Sequence, residues 1–399
     1  MEARQLRGQE IAIRSDITRE GNVWIVPSQT SHKRYTVSLF LQTCTCADFD
    51  SHHLKCKHIY AAEATFNHEN GAPLPVPEMV VKPTYKQEWK EYRLAQVNEK
   101  AKFLELLYAL CSELEEAPQH MGRPRIPLAD RLFSAVFKVY ECLSGRRFMS
   151  DLMEAKRRGL ISQMPNFCTI FRVLESEAVT PVLKQMIADS ALPLKSIERN
   201  FAVDSSGFST GQFARWFDTK YGMGQVVKGQ WLKAHIMCGC LSNIVTSIEV
   251  TDGEAGDSPR FRPLVEATAE NFVMDTVVAD KAYSSDKNLK LVLVKGAQPY
   301  IPFKAGSNAT GKRQSSTWKR LFHFYMYNQE WFMQHYHQRS NVETTFSMIK
   351  RKFGEKLRSK TRTAQENELL CKVLCHNLCC VIQSMYELGV DVEFGAPGL

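Results

Sequence analysis

A stretch near residue 340 carries four polar residues with regular spacing. They are Tyr336, Arg339, Glu343 and Lys350, separated by three, four and seven positions. An α-helix turns once in 3.6 residues, so these separations place all four side chains on one face. The neighbouring face is apolar and is formed by Val342, Phe346, Ile349 and Phe353. The stretch predicts a single helix with one core face and one polar face. The polar face could be a functional site, and the alternative is an ordinary charged face exposed to solvent.

Two aspartates upstream follow apolar segments. Asp204 comes after Phe-Ala-Val and precedes small turn residues, and Asp280 ends a Val-Val-Ala run. We expect both at strand ends, where α/β sheets place their ligands. A carboxylate beside a core strand is costly to bury unless it binds something. Around them the sequence predicts three strands, a helix, two more strands and a final helix, which is an α/β order.

The spaced residues and the two aspartates together resemble a known family. The pattern Tyr-x2-Arg-x3-Glu-x6-Lys, with VDSSG around Asp204 and VADKAYSS around Asp280, is similar to the Y-R-E-K signature of bacterial insertion-sequence DDE transposases. The resemblance implies an RNase H-like catalytic core over residues 198–358 and a C-terminal helix over 359–399. The segments Lys233-x-His235 and Gly256-Asp257-Ser258 also resemble family segments, with lower specificity.

The same resemblance implies roles for the site residues. Asp204, Asp280 and Glu343 would be catalytic and would hold two Mg²⁺ or Mn²⁺ ions. Tyr336, Arg339 and Lys350 would bind DNA, and pairing of these cations with carboxylates inside the free enzyme is the alternative. Two divalent ions can activate the attacking oxygen and neutralise the leaving one in phosphodiester chemistry, and hard Mg²⁺ prefers carboxylate oxygens. The short interval between Asp280 and Glu343 predicts no large β-strand insertion there.

A second pattern lies near the N-terminus. Two predicted strands, Gly21 to Ser28 and Arg34 to Gln42, precede Cys44-x-Cys46, nine residues, Cys56-x-His58 and a predicted helix. Three thiolates and one imidazole can close a tetrahedral structural zinc site, and chance cysteines are the alternative. The arrangement resembles the SWIM zinc finger, which implies one Zn²⁺ bound by these four residues in a small ββα unit over residues 1–70. His52 and His53 are read as loop residues.

The middle of the chain predicts helices. Residues 71–119 read as a proline-bearing linker and a helix, and residues 120–197 as a helical domain. One predicted helix is stopped by Gly145, another is capped by Ser150, and a third starts after Pro165. Arginines cluster between them, at Arg146, Arg147, Arg157 and Arg158. The helices suit a helix-turn-helix DNA reader, and a plain helical scaffold is the alternative. Residues 122–140 also resemble the helical domain that precedes the family's catalytic core.

The composition favours an intracellular protein that binds DNA. The formal charge of +8 favours an acidic partner such as nucleic acid. Twelve cysteines and no apolar leader argue for reduced thiols or metal ligands. The chain contains no run of about 18 uncharged apolar residues, so no membrane span is predicted. We therefore expect a cytoplasmic, nucleoid-associated bacterial protein with no membrane partner.

The function expected from these patterns is DNA transposition. The protein would cut and join double-stranded DNA, at element ends and in target DNA, as a homodimer in the synaptic complex. Two alternatives stay open: a catalytically silent, zinc-containing DNA-binding regulator derived from a transposase, and a metal-dependent nuclease without strand transfer.

Overall fold

The chain, seen in a computed structural model, consists of two compact units, Met1–Lys86 and Gln87–Leu399. The structure describes residues 3–392 and 394, except 29–32, 72–87, 117–118, 120, 123, 211–230 and 312–313. Most of the predicted linker, from residue 72 to Pro83, lies outside the described residues. Each unit has its own hydrophobic core.

In its described residues, the N-terminal unit is a four-stranded antiparallel sheet with three helices. Its elements are α1 (Ala3–Arg14), β1 (Thr18–Glu20), β2 (Val23–Pro27), β3 (Arg34–Ser38), β4 (Thr43–Cys44), α2 (Ala47–His52) and α3 (Lys57–Glu69). The predicted hairpin is therefore β2–β3, with shorter strands than expected. Helix α1 packs closely on α3, because a Cβ at Gly8 would stand 2.5 Å from the Cβ of Tyr60. Trp24, Val26, Val37 and Ile59 fill the core.

The described part of the C-terminal unit begins with five helices. They are α4 (Trp89–Ser112), α5 (Leu128–Glu141), α6 (Gly145–Arg157), α7 (Phe167–Leu174) and α8 (Val179–Ala191). Two predicted boundaries are wrong. Ser150 lies inside α6, where its hydroxyl donates to the carbonyl of Arg147 at 2.9 Å, and Ser144 is the N-cap. Gly145 begins α6 and does not stop α5; a Cβ there would meet the Phe171 ring at 2.8 Å, so the glycine serves close packing.

Within the described residues, a five-stranded sheet follows. Its strands are β5 (Asn200–Ser209), β6 (Trp231–Gly239), β7 (Val245–Asp252), β8 (Thr276–Ala279) and β9 (Gln298–Tyr300), and they lie in the order β7-β6-β5-β8-β9. Strands β5, β6 and β7 are antiparallel, whereas β8 runs parallel to both β5 and β9. This mixed α/β sheet agrees with the predicted RNase H-like core.

Helices cover the sheet and connect its last strands. They are α9 (Ser258–Asn271), α10 (Asp286–Val294), α11 (Ser316–Tyr327), α12 (Gln329–Tyr336), α13 (Ser340–Phe353) and α14 (Arg362–Leu388). The predicted single helix around residue 340 is therefore divided: α12 ends at Tyr336, residues His337–Arg339 form a 3₁₀ turn, and α13 begins at Ser340. A 3₁₀ turn winds more tightly than an α-helix, so it rotates Tyr336 relative to the α13 face.

The last helix, α14, is the centre of the C-terminal unit. It packs against α4, α5 and α8, and the helices and the sheet share one core. Among the described residues, it is the one helix long and apolar enough to cross a membrane, yet 78% of its apolar window is buried in the protein. It is thus a core helix.

The two compact units do not divide the chain at residues 119, 197 or 358, so these finer domain boundaries remain predictions.

Candidate active site and zinc centre

Four buried side chains converge in the N-terminal unit. The ligand atoms of Cys44, Cys46, Cys56 and His58 lie within 4.8 Å of one another. The His58 Nδ1 atom is 3.8 Å from the Cys44 sulfur and 3.9 Å from the Cys56 sulfur. Zinc bonds of about 2.3 Å to sulfur and 2.0–2.1 Å to nitrogen require tetrahedral edges of about 3.6 Å. The four residues therefore fit one tetrahedral zinc ion with little movement.

Local structure places these ligands. Cys44 ends β4, while Cys46 and Cys56 are the N-caps of α2 and α3. A helix N-terminus favours a thiolate, and a hydrogen bond with the Cys44 thiol lowers the pKa of Cys56 below its ordinary value. His58 directs Nδ1 to the sulfurs, and its Nε2 has no hydrogen-bond partner among the described residues. Of the two histidines read as loop residues, His52 is the last residue of α2, so that prediction is wrong, whereas His53 follows the helix and is exposed.

The two aspartates lie side by side at the end of the parallel strand pair. Val203 of β5 is paired with Ala279 of β8, so Asp204 and Asp280 are the next residues on adjacent strands. Asp280 follows the end of β8 as predicted, and its Oδ1 accepts the Lys281 amide at 2.6 Å. The prediction that β5 ends at Asp204 is wrong. Strand β5 continues to Ser209 because its antiparallel pairing with β6 extends that far.

Arg339 joins Asp204 to Glu343. Its Nη1 donates to Asp204 Oδ2 at 2.7 Å, and its Nη2 donates to Glu343 Oε1. Glu343 lies in the first turn of α13, four residues after Arg339, which is the spacing of a helical ion pair. The structure therefore brings Glu343 and Asp204 to the same guanidinium. In the free protein, Arg339 therefore pairs with carboxylates, which was the alternative to a DNA contact.

Electrostatics connects all three carboxylates. Burial raises the pKa of Asp204 above its ordinary value; the Ser205 amide and Arg339 oppose the rise, and the negative charges of Asp280 and Glu343 add to it. A like charge affects a pKa only when it is near. The strand register brings Asp280 near Asp204 and Arg339 brings Glu343 near it, so a bound cation would relieve the repulsion among the three carboxylates.

Lys350 and Tyr336 border the same region. The Lys350 ammonium donates to Ser206 Oγ at 2.8 Å and lies 5.1 Å from the centre of the Phe208 ring. Asp204, Glu343 and Lys350 line one cleft of about 530 Å³. Burial raises the pKa of Tyr336, whose hydroxyl interacts with Arg339 and lies near Asp280. Tyr336, Arg339 and Lys350 therefore lie on the same side of the sheet as the carboxylates, despite the 3₁₀ turn.

The two sites differ in how closely their ligands are assembled. Among the described residues, the zinc ligands form the one group of three or more His, Cys, Asp or Glu side chains close enough to hold a metal. The three carboxylates are not gathered in this way. The Arg339 guanidinium lies between Asp204 and Glu343 and pairs with both.

Comparisons with known proteins place both sites in families. Residues 195–378 match the family described as "Transposase DDE domain". The chain carries a transposase DDE domain. Residues 30–67 match the SWIM zinc finger family, so a SWIM zinc finger precedes that domain. These matches include the three carboxylates and the four zinc ligands, respectively.

Other comparisons add little. No curated protein matches the chain. Among solved structures, the cryo-EM structure of a piggyBac transposase synaptic complex with hairpin DNA is similar at 11% identity and a TM-score of 0.35, covering 76% of this chain and 77% of that chain. A likeness this weak carries no argument about the DDE domain.

Sequence reasoning missed the small residues after Asp204. Ser205 and Ser206 read as turn residues, yet both belong to β5 and face opposite sides of the sheet. Ser206 accepts from Lys350, and Ser205 donates to Asp257 Oδ1 at 2.7 Å. The signal available was the strand that follows, β6, whose length allows pairing along all of β5 in the DDE domain.

Proposed function

We propose that this protein is a DNA transposase that cleaves and rejoins phosphodiester bonds with divalent cations held by Asp204, Asp280 and Glu343. The observation that carries the proposal is the pairing register of β5 and β8, with Glu343 joined to Asp204 through Arg339. Asp204 and Asp280 thus follow the paired ends of two adjacent strands, and Arg339 joins Glu343 of α13 to Asp204, which lines an open cleft together with Glu343.

The donor set fits Mg²⁺ or Mn²⁺. Three carboxylates supply hard oxygen ligands. The positively charged Arg339 guanidinium already lies between two of them, where a cation would be attracted. When bound, two such ions would activate the attacking oxygen and neutralise charge on the scissile phosphate. The zinc centre has four protein ligands and no open position, so its role is structural.

Arg339, Lys350 and Tyr336 would bind the DNA backbone next to the cut. Lys350 interacts with a neutral serine, so its charge remains available to phosphate. Arg339 would leave the carboxylates when cations neutralise them and grip a phosphate with its two nitrogens. Tyr336 lies within reach of Arg339 and would hold it in that position.

Double-stranded DNA would be held by the rest of the chain. Arg146, Arg147, Arg157 and Arg158 are exposed at the two ends of α6. Such arginines suit phosphate contacts, which supply most of the affinity for duplex DNA. We propose that the helices and the zinc finger bind element ends and target DNA, that two copies act in the synaptic complex, and that the protein works at the bacterial nucleoid.

One experiment separates transposition from its alternatives. The protein is incubated with the element's end DNA, Mg²⁺ and a target plasmid, beside Asp204→Asn, Asp280→Asn and Glu343→Gln variants. We expect joined products from the wild type and DNA binding alone from the variants. Cleavage without joining would indicate a nuclease. Binding without cleavage by the wild type would indicate a silent regulator and overturn the proposal.

A further inference from the structure

A half-buried ionic network lies behind the carboxylates, on the opposite face of β5. Adjacent strand residues point to opposite faces. Asp204 therefore faces Arg339, whereas Ser205 faces the N-terminal end of α9, where Asp257 is the residue before the helix. No role follows for Asp257 from the proposed chemistry, because it takes no part in the cleft.

Asp257 connects three elements of the DDE domain through one oxygen. Its Oδ1 accepts the Ser205 hydroxyl at 2.7 Å and lies 2.6 Å from the Lys233 ammonium of β6. Lys233 also donates to the carbonyl of Ala255 at 3.3 Å, which fixes the loop before α9. The network therefore ties β5, β6 and the start of α9 together.

The network is not a nucleophile and base of the Ser-His-Asp kind. Ser205 donates to Asp257 and not to His235; the His235 Nδ1 atom lies 3.3 Å from the same Asp257 oxygen, and its Nε2 atom contacts Thr251 at 2.8 Å. Burial lowers the pKa of His235 to about 4, so its ring is neutral near pH 7. Lys233 is thus the charged partner of Asp257, and no histidine accepts the Ser205 hydroxyl.

Ser205 transmits this network to the proposed metal ligands. Its backbone N–H donates to Asp204 Oδ1 at 2.8 Å, and its side chain is held by Asp257 at the same time. A shift of Ser205 must therefore move both the amide and the carboxylate that it holds. Removing a residue that hydrogen-bonds to a metal ligand and orients it typically lowers metal affinity or activity by about 10- to 100-fold.

We infer that Asp257 is a positioning residue: with Lys233 it fixes Ser205, whose amide orients the Asp204 carboxylate for divalent cations. The inference rests on the proposed function, because it requires Asp204 to be a metal ligand. It adds to the three carboxylates a fourth acidic residue that acts through hydrogen bonds and never touches the metal or the DNA.

The test measures Mn²⁺ binding to the full-length protein by calorimetry, without DNA and with the zinc centre kept loaded with Zn²⁺. We expect Asp257→Ala to weaken Mn²⁺ binding about tenfold and Ser205→Ala about threefold. The double variant should be no weaker than Asp257→Ala alone, because both residues act in one chain of contacts.

Glu249→Ala is the matched control. It breaks a similarly half-buried ion pair, with Lys184 at 3.1 Å, on β7 of the same sheet and without contact to Ser205. We expect it to lower the melting temperature as much as Asp257→Ala and to leave Mn²⁺ affinity unchanged. If Asp257→Ala does not fold, the Ser205→Ala variant decides, since it removes only a hydroxyl.

Asp204→Asn separates failure of this inference from failure of the proposed function. Should Asp204→Asn remove Mn²⁺ binding while Asp257→Ala and Ser205→Ala keep wild-type affinity, the positioning role is overturned and the metal site stands. Should Asp204→Asn keep wild-type affinity, the metal site itself is wrong and the positioning role falls with it. Additive losses in the double variant would also overturn the inference.

Discussion

At the scale of single residues, Arg339 decides the state of the free site. Its guanidinium lies between Asp204 and Glu343 and uses one oxygen of each. A cation bound by the same oxygens competes with this arginine. The free protein thus balances its clustered negative charge internally, and metal binding requires the arginine to move toward the cleft, where DNA phosphate would meet it.

Replacing Arg339 by alanine should therefore separate metal binding from cleavage. We expect Mn²⁺ affinity to rise about tenfold, or ~1.4 kcal/mol, because the competing cation is gone. Cleavage of end DNA should nevertheless fall, because the phosphate contact is lost. Calorimetry and cleavage rates measure the two effects. Arg351, which lines the same cleft and is exposed, provides the control variant; weaker Mn²⁺ binding by Arg339→Ala would contradict the competition.

At the scale of elements, α13 separates its functions by face. Val342, Phe346 and Ile349 are buried in the core. Lys350 points to Ser206 in the cleft, whereas Lys352 pairs with Glu99 of α4. The helix thus carries a DNA-facing lysine and a structural lysine two positions apart.

This division predicts different outcomes for two lysine variants. Lys350→Ala should slow DNA cleavage about tenfold or more and leave Mn²⁺ affinity unchanged, because a phosphate contact is lost while the carboxylates remain. Lys352→Ala should lower the melting temperature and leave the cleavage rate of the folded protein near that of the wild type. Equal cleavage by Lys350→Ala and wild type would reject the DNA role.

The zinc centre holds together three short elements, β4, α2 and α3. It joins β4 to the first residues of α2 and α3, and such small elements have little stability alone. Metal binding therefore contributes much of the folding free energy of the N-terminal unit, on the order of 10 kcal/mol for structural zinc.

Cys56→Ser should release zinc and unfold the N-terminal unit while the C-terminal unit, which has its own core, stays folded. Elemental analysis and amide exchange of each unit measure the outcome. The control is Cys168→Ser, since Cys168 is exposed in the C-terminal unit. Wild-type protein purified without zinc would disprove the assignment.

At the scale of the whole molecule, the C-terminal unit buries neutral histidine in its centre. His376 of α14 donates from Nε2 to the carbonyl of Asn243 at 2.9 Å, so it connects the central helix to the β6–β7 turn. Burial lowers its pKa from 6.5 to about 4. The unfolded chain therefore binds a proton between these pH values and the folded chain does not.

Stability should accordingly fall with acidification. The free energy of unfolding decreases as the pH drops from about 6.5 to 4, and His376 alone accounts for up to about 3 kcal/mol of the decrease. His376→Gln should flatten this dependence, even if it lowers stability at pH 7. Chemical denaturation at several pH values measures it, with the exposed His323→Gln as control. An unchanged pH slope in His376→Gln would refute the cause.

The sequence by itself determined the residues whose spacing is local or whose position ends a strand. The zinc ligands follow from their spacing and from the hairpin and helix around them, and Asp280 follows from the apolar run before it. The helix boundaries at Gly145 and Ser150 were predicted wrongly, because packing of Phe171 on Gly145 outweighed the usual preference of a glycine for a helix end.

Only the tertiary structure decided how distant residues combine. Pairing with β6 carries β5 past Asp204, and no local pattern contains that long-range contact. The meeting of Arg339 with Asp204, 135 positions apart, depends on where α13 packs on the sheet. The link from Asp257 to Ser205 likewise needs α9 and β5 to meet. Spacing along a helix or strand is set by backbone geometry, whereas these contacts are set by packing between elements.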